Sequence, residues 1–154
     1  MAPRPALLAL LMALASPALA GEAGTGGAWT PKQNYTLRCI GCHGPHGAGS
    51  ERGRIPDFRD SVASFSYLPR GREYLLHVPG VVGSSLNDQQ IADVLNYVMK
   101  EWGGESLGQD FTPFTDAEVH YLRQTDVQDV VQLRREVARQ LKAEGRPVAD
   151  YPWP

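Results

Sequence analysis

Apart from Cys39 and Cys42, the sequence has no cysteine in 154 residues. A small exported domain stapled by several disulfides is therefore excluded. A Cys39–Cys42 bridge would close too short a loop to stabilise much, so chemistry explains this pair better than stapling does. Histidine is scarce too, with His43, His46, His77 and His120 the whole set. Methionine after residue 20 is Met99 alone. Basic charge is not in excess: 15 Lys and Arg face 17 Asp and Glu. Phosphate binding needs a basic face, so no nucleic-acid partner is expected. Beyond the first residues no apolar run approaches the roughly 20 residues that a membrane span requires. No membrane span is expected in the mature chain.

Residues 1–20 are set apart. Arg4 gives a short positive start, residues 6–15 are Ala, Leu and one Met, and Ser16-Pro17 breaks the run. Ala18-Leu19-Ala20 is the small-x-small pattern that a signal peptidase cuts. The expectation is a cleaved secretory signal over 1–20 and a soluble periplasmic protein. The alternative, an uncleaved anchor, meets the objection that the run is too short to cross a bilayer. The residue directly after the cut is Gly21 and not a cysteine, which argues against a lipid anchor. Loss of the one basic residue, Arg4, takes the formal charge from −2 to −3.

Residues 21–29 are rich in Gly and Ala and read as a flexible leader. Thr30-Pro31 has the form of a helix start. It opens a short helix over 32–38 with Tyr35 turned inward, running into Cys39. Residues 44–53 hold four glycines and one proline and read as loop, with Ile55-Pro56-Asp57 extended after it. Residues 71–78 suit a second helix with Tyr74, Leu75 and Val78 on its apolar face, ended by Pro79. Asn87 and Gln90 form a capping box for a third. Ile91, Val94, Leu95, Val98, Met99 and Trp102 recur in it at spacings of three and four, the strongest periodic signal in the chain. Gly103-Gly104 stops it.

In the tail, Thr115 with Glu118 and Thr125 with Gln128 read as further capping boxes. A last helix is expected over 126–144, with Val127, Val130, Val131, Val137 and Leu141 on one narrow face and Gly145 at its end. Residues 151–154 should be extended. No strand alternation or internal repeat is evident. The reading is all-α: a small helical domain over 30–104 and a helical C-terminal extension over 105–154.

Cys39-Ile40-Gly41-Cys42-His43 carries the chemistry. Cys-x-x-Cys-His is the attachment pattern for c-type haem. Two thiols about one helical turn apart can each add to a haem vinyl group, and the next residue can offer its imidazole to the iron. Gly41 leaves room for the porphyrin edge. A zinc site from Cys39, Cys42, His43 and His46 is the first alternative, but so short a span makes a closed tetrahedral shell hard to build. A thiol–disulfide redox site is the second, but it lacks a βαβ setting. The cofactor expected is one covalent haem c.

From about residue 31 to 102 the chain resembles the class I cytochrome c family. The resemblance rests on Tyr35, on Cys39 to His43, on Ile55-Pro56, on Tyr74-Leu75, and on Leu86-Asn87-Asp88 leading to Tyr97. It implies a first and last helix crossing at the haem edge. It also implies a proline, here Pro56, whose carbonyl accepts from the proximal His ring. Residues 112–154 lie outside it.

The family's distal Met is absent from the loop before the last helix, which runs from His77 to Ser85. His77 is the leading substitute and would give a low-spin His/His iron. The alternative is that His77 is a half-exposed helix-end residue and that Val81 or Val82 faces an open iron. Met99 is a lesser candidate, because core packing explains it better. His46 is too close to His43 in sequence to reach the other haem face, and His120 reads as a surface residue. Arg52 and Arg54 are candidates for pairing with the haem propionates or are solvated loop arginines; Arg70 and Arg72 carry the same ambiguity.

These features imply a one-electron carrier rather than an enzyme, exchanging electrons with redox proteins such as a dehydrogenase or oxidase. The alternative is a haem protein with an open distal site, acting as a small-ligand sensor or peroxidase-like catalyst. The tail, with Tyr151 and Trp153, would dock a partner or wrap its own domain.

Overall fold

The computed structural model describes residues 29–150. The expected signal, nearly all of the expected leader, and Tyr151 and Trp153 lie outside the described residues. The described residues are helical and form no β-strand, only an isolated bridge between Ser50 and Ile55.

Two helices with reciprocal caps frame the fold. In α1 (Pro31–Arg38) the Thr30 hydroxyl accepts from the Gln33 N–H, while the Gln33 side chain accepts from the Thr30 N–H. Asn87 and Gln90 do the same for α5 (Asp88–Trp102), whose apolar stripe buries Ile91, Val94, Leu95, Val98 and Met99. Each box satisfies donors that a helix start leaves orphaned. The two helices pack together through Tyr35, whose ring centre lies 6.0 Å from that of Tyr97 and 4.6 Å from that of Trp102.

Between them run α2 (Ile40–His43), a 3-10 helix (Val62–Tyr67), α3 (Pro69–His77) and α4 (Pro79–Val82). The 3-10 helix and α4 were not expected. Pro79 does end α3, but it also sits at the first position of a further turn, where its missing N–H costs nothing. Helix α3 packs tightly on the 3-10 helix: a Cβ on Gly71 would stand 2.1 Å from the Phe65 carbonyl oxygen.

The tail folds onto the same core. Helix α6 (Asp116–Leu122) lies against α5, and α7 (Val130–Ala143) lies against α3 and the 3-10 helix. Phe114, Val119, Leu133, Val137 and Leu141 are buried in one cluster with Leu76 and Met99. Arg72 fastens the tail. Its guanidinium donates to both Glu118 carboxylate oxygens at 2.5 and 2.6 Å and to the Ser66 and Thr112 carbonyls at 3.1 Å. It also lies 3.8 Å over the Phe114 ring.

Helix α7 begins later than expected. The Asp129 carboxylate caps it by accepting from the Val131 and Gln132 N–H groups. The expected Thr125–Gln128 box does not form, because the Thr125 hydroxyl donates back to the Leu122 carbonyl and finishes the turn after α6. Thr115 caps α6 through the Glu118 N–H, but the Glu118 side chain is taken by Arg72, so that box is half made.

Candidate functional site

Helix α1 stops at Cys39, and one further turn follows at once. The Cys42 and His43 N–H groups donate to the Cys39 carbonyl at 3.1 and 3.0 Å. This turn sets Cys39, Cys42 and His43 on one short segment, which Gly44 ends at φ +70°. The Tyr35 hydroxyl donates to the Gly44 carbonyl at 2.7 Å and pins the turn to α1.

Cys39, Cys42 and His43 line a cavity with about 1270 Å³ of empty space, counting the part open to solvent. Its walls are mainly apolar, drawn from Phe58, Phe65, Leu75, Val94, Leu95 and Val98 among others. Cys42 is exposed and Cys39 half-buried, and both are free thiols. Burial, followed by the neighbouring Cys42 charge, pushes the Cys39 thiol up to about 11. A disulfide-exchange site needs a thiolate, and this shift disfavours one at Cys39. No group of His, Cys, Asp and Glu able to hold a metal ion occurs among the described residues, so the zinc alternative does not fit. His46 is exposed and outside the cavity lining.

The His43 ring stacks on Phe58 with centres 4.0 Å apart and planes at 19°. Burial pushes its pKa down to about 4. The imidazole is thus neutral at neutral pH, with a lone pair available to a metal. Its Nδ1 is buried with no hydrogen-bond partner. These residues fit a covalent haem: apolar walls for a macrocycle, two thiols on one turn for its vinyl groups, and a neutral imidazole beside them.

No family model matches the chain. Cytochrome c-552 of Thermus thermophilus is 35% identical to it over 104 residues, which take in 56% of this chain and 79% of the relative. A second cytochrome c-552, from a particular strain of Thermus thermophilus, is likewise 35% identical over 104 residues, covering 56% of this chain and 70% of the relative. The chain belongs to the c-type cytochromes. As a cytochrome it is an electron-transfer protein of covalent haem c rather than an enzyme. None of its described helices is long and apolar enough to cross a membrane.

The cytochrome departs from the expected site in three places. Pro56 lines the cavity, but its carbonyl does not accept from His43. The Ser50–Ile55 bridge turns that carbonyl to Gly49, where a Cβ would lie 2.5 Å from it. Arg54 lines the cavity, but Arg52 does not. Arg70 pairs with Glu73 and Arg72 with Glu118, so neither is directed to the cavity.

His77 is the third departure. It lies outside the cavity lining, with Nδ1 2.8 Å from the Glu73 carbonyl and Nε2 3.0 Å from the Thr125 carbonyl. The tail draws the imidazole away from the cavity. Met99 is fully buried and does line the cavity, from α5. His120 is a surface residue, 2.9 Å from the Asp88 carboxylate.

The expected site also missed what the tail contributes. Val130, Val131 and Arg134 of α7 line the cavity. Arg134 is 4% exposed, donates to the Ala149 carbonyl at 2.9 Å and lies 5.5 Å over the Phe65 ring. The signal was present: residues 130, 134, 137 and 141 share a stripe at spacings of four and three, so Arg134 interrupts an apolar face.

Proposed function

We propose that this cytochrome is an exported monohaem carrier that passes single electrons between other redox proteins. Cys39 and Cys42 would hold the haem through thioethers, and His43 would hold its iron. The observation that carries this reading is the convergence of two free thiols and a neutral, half-buried imidazole on one apolar cavity. The bound haem supplies a one-electron couple.

The chain's own residues do the rest. Phe58 sets the plane of the His43 ring by stacking on it. Tyr35 fixes the attachment turn between α1 and α5. Apolar walls keep water off the macrocycle, which limits reorganisation when the charge changes. Arg54 at the cavity is a cation suited to the propionates. Cys42 is exposed at the mouth, so a donor or acceptor can approach that edge. Export is supported by the signal-like pattern of residues 1–20. The partners implied are a dehydrogenase or an oxidase.

Expression with a haem-c maturation system tests this. The pyridine haemochrome should show one haem per chain with both vinyls saturated, and mass spectrometry should place the mature N-terminus at Gly21. Voltammetry should give a reversible one-electron wave. Cys39→Ser with Cys42→Ser should leave any haem extractable by acid-acetone. A haem that cannot be reduced at any accessible potential would overturn the carrier reading.

A further inference from the structure

We propose that the second axial position of the iron is open in this cytochrome and takes small neutral diatomic ligands, of the carbon monoxide and nitric oxide class. The inference rests on the haem reading above and on what each element brings to the cavity.

Helix α3 ends at His77, the one histidine near this part of the cavity, and both of its ring nitrogens face backbone carbonyls. Its Nε2 partner is Thr125, in the turn between α6 and α7, so the folded tail keeps the imidazole from the iron. Residues 78–85 follow, and no Met, His, Lys or Cys occurs in them. What they give the cavity is Val78, Pro79, Gly80 and Val81. Ser84, the next polar side chain, donates to the Val81 carbonyl at 2.8 Å. Helix α7 adds Val130 and Val131 to the lining.

Met99 also lines the cavity. It belongs to α5, which packs on α1 next to the attachment turn. Trp102, one turn further along α5, has its ring centre 6.3 Å from Phe58, and Phe58 stacks on His43. Met99 therefore comes from the helix that packs on α1, not from the segment after α3. Away from the attachment turn the cavity lining is mainly hydrocarbon, with Tyr74 and Arg134 among its polar side chains. Such a wall supplies no strong ligand of its own and offers little to stabilise a charged one. Arg134 at the same wall is engaged with the Ala149 carbonyl and the Phe65 ring. A neutral ligand that bonds through a carbon or nitrogen lone pair suits this setting.

The test uses the dithionite-reduced holoprotein. A high-spin spectrum and uptake of one carbon monoxide per haem within stopped-flow mixing are expected. His77→Ala should leave both unchanged. Val81→Met, which brings a thioether to α4, should give a low-spin component and cost at least about tenfold in carbon monoxide affinity. A low-spin reduced protein that takes up no carbon monoxide would overturn the proposal. So would a change from low to high spin in His77→Ala or Met99→Leu, which would identify the sixth ligand. So would a Val81→Met protein indistinguishable from the parent. A protein with reversible electrochemistry but no ligand binding defeats only this inference; a protein without covalent haem defeats the reading beneath it.

Discussion

Tyr35 ties the attachment turn to the helix pair that carries it. Its ring is 2% exposed and its hydroxyl holds the Gly44 carbonyl. Burial, with the charges of Cys39 and Tyr97 adding to it, pushes its pKa from 10.0 up to about 12. Between those values the unfolded chain gives up this proton while the folded chain keeps it. The tyrosine's contribution to stability is thus complete below pH 10 and lost as pH rises towards about 12. Tyr35→Phe should cost about 1 kcal/mol at neutral pH, as one buried hydrogen bond is removed. It should also show a shallower alkaline loss; urea unfolding at neutral pH and again at high pH measures both. Gly49 is the second residue on which the site depends. It adopts φ +68°, and a Cβ there would lie 2.3 Å from the Ile55 carbonyl and 2.5 Å from that of Pro56. Gly49→Ala should lose at least about 2 kcal/mol, from left-handed strain plus the clash, and should lower the yield of haem-loaded protein.

Among the elements, α3 and α6 meet through Arg72, whose side chain is only 12% exposed. Arg72→Ala strands the Glu118 carboxylate and two carbonyls, and should cost about 3 kcal/mol in urea unfolding. Glu118→Gln keeps an acceptor in place and should cost nearer about 1 kcal/mol. Helix α5 meets α6 at Asp88, which accepts from Arg123 at 2.6 Å and lies 2.9 Å from the His120 ring. The hydrogen bonds from Arg123 and then His120 hold this carboxyl below its ordinary 3.8. Its contribution is present above that value and lost only as pH falls through the lowered one. Amide exchange in α6 should therefore loosen at acid pH in the parent, and Asp88→Asn should remove that acid-dependent component.

For the whole molecule, the tail matters more than its position outside the family resemblance implies. Phe114, Val119, Leu133, Val137 and Leu141 are all at most 3% exposed. At about 2 kcal/mol for each buried side chain, their loss would match the roughly 5–15 kcal/mol by which a domain is stable at all. A protein ending before Thr112 should fail to unfold cooperatively in urea and should expose its haem cavity to proteases. The apolar face of α7 is spent on its own core.

The sequence by itself determined the features that depend on near neighbours. The reciprocal caps at Thr30–Gln33 and Asn87–Gln90 span three residues, and the stripe of α5 repeats within a turn, so α1 and α5 stood where expected. The Cys39–His43 turn is equally local. The tertiary structure decided wherever a residue had two partners to choose from. Thr125 and Asp129 were both able to cap, and α7 started at the carboxylate that reached two N–H groups. His77 was free to turn towards the cavity or the tail, and the Thr125 carbonyl took it. Pro56 was placed by the family resemblance but aimed by the Ser50–Ile55 bridge. Arg134 stood in the apolar stripe of α7 in plain view, yet only the docking of α7 against α3 put it at the haem cavity. In each case the competing local options differ by about one hydrogen bond, and contacts from elsewhere in the chain are large enough to choose between them.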